Sequence, residues 1–166
     1  MGTDADAAGE RARMTPFADW PESDVLAVRS LGRLAVVEPG AVLLRAGGTE
    51  SYLGIVVRGS FGVEMPIGPE YRRIGLLGPG EVFGEMAFVD GRPQVADIVA
   101  LDSGSVIRIE REELDEFARR NPRIAVELLR SLAALLSRRL RGSPTTSGPP
   151  ASPPIPPVPS SGFTRT

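Results

Sequence analysis

Two rhythms of apolar residues alternate along this chain. In the first, Val25, Leu26, Val28 and Leu31 recur at helical spacing just after Trp20-Pro21-Glu22, and they predict a helix within 17–34. The second rhythm is short and strand-like. It predicts strands over 33–38, 41–45, 52–58, 61–65, 71–76, 95–101 and 105–110, parted by Pro39-Gly40, Gly47-Gly48, Gly59-Ser60, Gly68-Pro69, Gly78-Pro79-Gly80 and Ser103-Gly104. Short strands with turn signals at such spacing imply an antiparallel sandwich or barrel. After Glu110 the helical rhythm returns. One helix is expected over 112–120 and a second over 121–141, where Asn121-Pro122 places a proline in the first turn.

The second of these helices carries an apolar stripe of Ala125, Leu128, Leu129, Leu132, Leu135, Leu136 and Leu140, widened by Ile124, Val126 and Ala133. Part of that surface must pack on the strands. The remainder, close to heptad spacing, makes helix 121–141 a candidate homodimer seam. Arginines 123, 130, 138, 139 and 141 flank the stripe. Near a helix C-terminus they complement the dipole and do not by themselves mark a nucleic-acid patch.

Composition narrows the chemistry. No cysteine or histidine occurs, so disulfides, thiol nucleophiles, Cys- or His-based metal sites and the commonest general base are excluded. The net charge of −2 sets up no field that calls for nucleic acid. No apolar run approaches the ~20 residues of a bilayer span. The start of the chain is polar and acidic, which leads to the expectation of a cytoplasmic protein. Residues 1–14 are small, charged and aperiodic, and residues 142–166 hold eight of the sixteen prolines. Both stretches are expected to be disordered around a single domain at 15–141, the second extended in polyproline fashion. The tail could dock on an unidentified protein partner. No catalytic constellation emerges: the Glu112-Glu113 and Asp115-Glu116 runs read as a solvated helix face, so an enzyme is not expected.

The segment 83–96, FGEMAFVDGRPQVA, carries the candidate site. A glycine that frees backbone N–H groups at a helix start forms an anion cradle, and the carboxylate after it can accept hydrogen bonds from a sugar hydroxyl. Phosphate beside ribose is what such a pairing suits. Glu85 also has a plainer use, since a carboxylate in a first turn stabilises the helix dipole. The Gly-Arg-Pro loop then leads back into a strand at Val95.

The runs EPGAVLLRAGG, YLGIVVRGSFGVEM, LLGPGEVFGEMAFVDG and ADIVALDSGSVIRI, in that order, resemble the cyclic-nucleotide-binding domain of catabolite-activator-type regulators, channels and transporters. The resemblance spans about 17–141 and implies a mainly β fold, an antiparallel β-roll with one N-terminal and two C-terminal helices. It implies that the loop containing Phe83 binds a cyclic nucleotide, cyclic AMP or cyclic GMP. Gly84, Met86 and Ala87 would present backbone groups to the phosphate, and Glu85 would take the ribose hydroxyl. No other cofactor is implied. The family pattern has Arg and then Ser or Thr before the alanine matching Ala96, where this chain has Gln94 and Val95. Charge-assisted contacts contribute roughly 1.5–3 kcal/mol each, so losing two weakens binding by about 3–5 kcal/mol, or two to four decades. Arg92 is a candidate replacement, since side chains two apart on an extended segment share a face. In the family the final helix or its dimer neighbour covers the base; the comparable stretch, 137–141, offers one hydroxyl and several arginines. The family's transcription factors carry a helix-turn-helix after that helix. The proline-rich residues here would not form one, and direct DNA binding is not expected. Two functions follow as expectations: a non-enzymatic regulatory module that senses a cyclic nucleotide or related small anion weakly, or a ligand-independent interaction and dimerisation module with a vestigial pocket.

Overall fold

A computed structural model describes residues 16–142. The disorder expected of 1–14 and of the proline-rich tail falls on residues outside the described ones, apart from Gly142, which ends the last helix. Helix α1 (Glu22–Leu31) leads into eight strands: β1 (Arg33–Val37), β2 (Val42–Leu44), β3 (Tyr52–Arg58), β4 (Phe61–Ile67), β5 (Glu70–Leu77), β6 (Val82–Phe83), β7 (Asp97–Ala100) and β8 (Gly104–Glu110). Helix α2 (Glu85–Asp90) lies between β6 and β7, and α3 (Arg111–Arg120) and α4 (Pro122–Gly142) close the order.

The strands form two four-stranded antiparallel sheets, β1-β8-β3-β6 and β2-β7-β4-β5. The first sheet is covered on both faces around β3, and the sequence of that strand shows why. Leu53 and Ile55 point to the helices, where they meet Ile107, Ile109, Leu114, Leu128, Leu132 and Leu135. Tyr52 and Val56 point the other way, into the space between the sheets, with Leu44, Phe61, Phe83, Ile98 and Val106. A strand buried on both faces reads as a continuous apolar run rather than an alternation. At the centre of that run, any side chain on Gly54 would overlap the Phe83 ring. The second sheet turns an outer face to solvent, and its edge strand β5 exposes Tyr71, Ile74 and Leu76.

The helices are fastened to each other by a few polar contacts. Trp20 Nε1 donates to Ser131 Oγ at 3.2 Å, and Arg123 Nη2 donates to both oxygens of the buried Asp24, each at 2.9 Å. These ties join the N-terminal region to α4. A capping box between Glu110 and Glu113 starts α3 where β8 ends. In α4 the buried residues Ala125, Leu128, Leu132 and Leu135 repeat at spacings of three and four, and this stripe lays the helix along the first sheet.

Several boundaries differ from expectation. Strand β7 begins at Asp97 instead of Val95, because the backbone of Gln94 bonds to the Gly47-Gly48 turn and not to a neighbouring strand. The two-residue β6 is too short to show any periodicity, and the sequence gives it no signal.

Candidate functional site

The candidate site is the segment from Phe83 to Ala96, which starts at β6, an edge strand of the first sheet. Phe83 is its anchor. The ring is 1% exposed and packs edge-on against Tyr52, with centroids 6.0 Å apart, and stacked on Phe61 at 6.4 Å. Immediately after it, Gly84 takes a left-handed conformation (φ +75°) and caps α2. Only glycine fits here, because a Cβ would collide with the carbonyl oxygen of Tyr52. The first helical bond runs from Phe88 N to Gly84 O at 3.0 Å, so the N–H groups of Glu85, Met86 and Ala87 precede the helical ladder. The helix ends at Gly91 (φ +70°), whose N–H donates to Ala87 O at 2.8 Å, and Ser51 Oγ donates to the same carbonyl at 3.1 Å.

Glu85 is buried at the start of this helix, only 4% exposed. Its carboxylate accepts a hydrogen bond from Arg139 Nη1 in the last turns of α4, and Arg139 Nη2 donates to Val82 O at 2.9 Å. One guanidinium thus spans Gly84, gripping the strand before it and the helix after it. The sequence offers three arginines within 137–141 and, taken alone, selects none of them. The signal was there in the helix phase: the buried stripe Ala125, Leu128, Leu132, Leu135 continues at the next step to Arg139.

The other end of the segment is organised differently. Arg92 is exposed in the loop, and its backbone N–H donates to Asp90 Oδ1 at 2.9 Å. Pro93 follows, also exposed, and then Gln94 turns inward to 8% exposure. Arg92 and Gln94 therefore sit in different surroundings and do not share a face. Gln94 Nε2 donates to Glu50 O at 2.8 Å, while its backbone pairs with the 47–48 turn through Gly47 N to Gln94 O (2.7 Å) and Gln94 N to Gly48 O (2.9 Å). Two residues on, buried Asp97 accepts from Ala46 N at 2.7 Å. The Gln94 amide is a clip between two loops. Val95 is half exposed, as is Met86 at the other end, and Ala96 is buried.

Tyr52 lies beneath the leading end, its carbonyl against Gly84 and its ring against Phe83. Its hydroxyl donates to Leu43 O at 2.8 Å, and the Arg108 guanidinium stands 3.8 Å from the ring centroid. Burial pushes the phenol up to about 12, with the positive charge of Arg108 acting against the shift and Glu50 and Glu110 adding to it. Among the described residues, no three potential metal ligands of the His, Cys, Asp and Glu types cluster, and no helix is long and apolar enough to cross a membrane.

Comparison with known proteins bears directly on this geometry. The family described as cyclic nucleotide-binding domain matches residues 34–121, more than half of the chain. The cyclic AMP receptor protein of Thermus thermophilus is 41% identical over 75 residues, which are 45% of this chain and 33% of that protein. A cyclic nucleotide-gated potassium channel of Mesorhizobium japonicum is 36% identical over 112 residues, covering 68% of this chain and 29% of the channel. The solved catabolite activator protein of Thermus thermophilus superposes with a TM-score of 0.68 at 30% identity, over 76% of this chain and 58% of that one. The chain thus spans about a third of the length of these curated relatives. Two antiparallel sheets, a Gly-led helix between β6 and β7 and the flanking helices agree with that match, and the chain belongs to the cyclic-nucleotide-binding domain family.

Proposed function

We propose that this domain is a non-enzymatic regulatory module that senses a cyclic nucleotide or a related small anion, with weak affinity. The observation that carries the reading is Glu85: a buried carboxylate directly after a left-handed glycine, at the start of a helix whose leading N–H groups precede the ladder. Such a pairing suits a ribose hydroxyl beside a phosphate. Weak affinity follows from the other end, where a clipped amide and an apolar side chain stand at the two positions that carry Arg and Ser or Thr in the family pattern. Arg92, exposed in the loop, supplies no buried cation there.

The response would pass through α4. Beside its buried stripe runs a second one, Val126, Leu129, Ala133, Leu136 and Leu140, again at spacings of three and four. Val126, Leu129 and Leu140 are 49%, 49% and 78% exposed, which suits a coiled-coil seam between two copies. Sedimentation would detect it: Leu129→Glu should shift a dimer toward monomer.

A ligand-independent interaction module is the second reading. It is favoured by the way Gln94 and Arg139 already satisfy the polar groups at both ends. Calorimetric titration with cyclic AMP and cyclic GMP, up to millimolar ligand, decides between the two. Saturable heat supports sensing, with dissociation constants of about 0.1–1 mM expected from the missing contacts. A flat titration for both nucleotides at millimolar concentration would favour the interaction module.

A further inference from the structure

We infer that β1 is a pairing edge for a second copy of this chain, two β1 strands meeting antiparallel about a two-fold axis beside Ala35. The two sheets end in four edge strands, β1 and β6 in the first and β2 and β5 in the second. Three of them are blunted in the ways that edges usually are. β6 has two residues, and β2 has three with a register slip between Val42 and Leu44. β5 carries Arg72 and Arg73, and its pairing with β4 skips Ile74. β1 has no such protection. Its five residues pair with β8 without a slip, and no proline interrupts them. Among the described residues, none of their backbone groups bonds to anything except β8. Leu34 and Val36 are 65% and 77% exposed. They share the face on which Ile107, the β8 partner of Leu34, meets the helices, yet neither belongs to that core.

Symmetry restricts how two copies can meet. A two-fold axis perpendicular to the sheet sets one residue opposite its own copy, so every allowed register is centred on a residue. Centring on Arg33 opposes two like charges. Centring on Leu34 pairs only 33–35 and leaves Val36 uncovered, and centring on Val36 sets Leu34 against Glu38. Centring on Ala35 pairs the whole strand, with Leu34 opposite the second copy's Val36 and Arg33 opposite its Val37. The exposed apolar side chains of both copies then close over one another on one face, and cross-strand pairs of this kind stabilise a sheet. The antiparallel direction also brings Arg33, at the start of one strand, beside Glu38, just past the end of the other, at both ends of the seam. The Arg33 side chain is 79% exposed even though it pairs with Glu113, so it can reach a neighbour. The two first sheets run on as one across the axis. This seam uses neither the 83–96 segment nor the exposed stripe of α4, and it stands whether or not the domain takes a nucleotide.

The chain has no cysteine, so a single introduced thiol can form a disulfide only between copies. Directly opposite residues have Cα atoms about 4.5–5.5 Å apart, inside the ~4.4–6.8 Å span of a disulfide, whereas diagonal neighbours at about 7–8 Å lie outside it. Under oxidation Ala35→Cys, which faces its own copy, should therefore form a covalent dimer about tenfold faster than Leu34→Cys, which faces Val36. Adding Val36→Lys to Ala35→Cys should slow the cross-link about tenfold, because a charge on the edge opposes pairing, and adding Leu129→Glu should leave it unchanged. Equal rates at 34 and 35 overturn the pairing. So does a cross-link that Leu129→Glu abolishes and Val36→Lys spares, which would assign the contact to α4. Sedimentation repeats the test without a thiol, at about 0.1–1 mM protein because the interface is small. There Leu129→Glu should still associate, and Leu129→Glu with Val36→Lys should be monomeric with an unchanged urea midpoint, since Val36 is exposed. Monomers in both, or association in both, overturn the β1 seam.

Discussion

The two ends of the 83–96 segment are held by different physics. The leading end, at Gly84 and Glu85, is gripped by one guanidinium that comes from 54 residues further along the chain, on the final turns of a helix. The trailing end, from Gln94 to Asp97, is stitched to the neighbouring 46–50 loop by backbone hydrogen bonds and two buried side chains. A long-range tie on a helix terminus can open while the sheets stay folded, since terminal turns are among the least stable parts of a domain. A stitch between two loops that lead directly into β3 and β7 opens only with them. The leading end is therefore expected to open more readily than the trailing end.

The strongest way to break this comparison is to destroy the leading end's backbone. Gly84→Ala places a Cβ against Tyr52 O in a left-handed conformation, and about 3 kcal/mol or more of stability should be lost. Gly91→Ala is the control. Its φ is similar, but a Cβ there meets nothing within 4 Å, so urea denaturation should show a loss of only about 1 kcal/mol. Equal losses would mean that the conformation matters and the close approach to Tyr52 does not.

Next in size is the alkaline response of Tyr52, whose carbonyl backs Gly84. The phenol is raised from an ordinary value of 10 to about 12 in the folded protein, so the folded state holds the proton that the unfolded state releases. The associated stability is fully present below pH 10 and disappears as pH rises to about 12, a fall of about 2–3 kcal/mol. Tyr52→Phe should be somewhat less stable at pH 7 through the lost bond to Leu43 O, and its stability should decline less between pH 10 and 12. Parallel pH profiles for the two proteins would assign the alkaline loss to other groups.

What the sequence showed of this arrangement depended on how local the cause was. The limits of β3 are read correctly at both ends because Gly59 and the polar 49–51 stretch bracket an apolar run that both faces bury. Gly84-Glu85 was legible as a helix start for a similar reason, since the glycine's role is written in its own backbone. Gln94 was legible as a missing cation, but its use as a clip was not: the acceptor, Glu50 O, is a backbone atom 44 residues earlier, and no residue type marks it. Arg139 lies between these cases. Its place at the next step of the Ala125-Leu128-Leu132-Leu135 stripe marks it as inward-facing, whereas its partner depends on where α4 crosses the roll, which the helix alone does not encode.

On the trailing end, Asp97→Ala should cost about 2 kcal/mol, because it leaves the Ala46 N–H without its charged acceptor in a partly buried site. The expected signature is a lower urea midpoint with an unchanged slope, and faster amide exchange confined to 45–50 and 94–97. Faster exchange that spread into 137–142 would join the two ends.

The smallest effect gives the sharpest test of whether the ends are separate. Gln94→Ala should cost about 1 kcal/mol through the bond to Glu50 O, and Arg139→Gln about the same through its grip on Glu85 and Val82. If the trailing end is a rigid stitch and the leading end an independent tie, the double variant should lose the sum of the two, with a coupling below about 0.5 kcal/mol. Gln94 bonds to the 47–50 loop and Arg139 to β6 and α2, so additivity is the expected outcome even though Ser51 Oγ joins that loop to α2 at Ala87 O. A coupling of 1 kcal/mol or more, read from a double-mutant cycle, would show that the segment moves as one piece. In that case the division between two separately held ends would have to be abandoned.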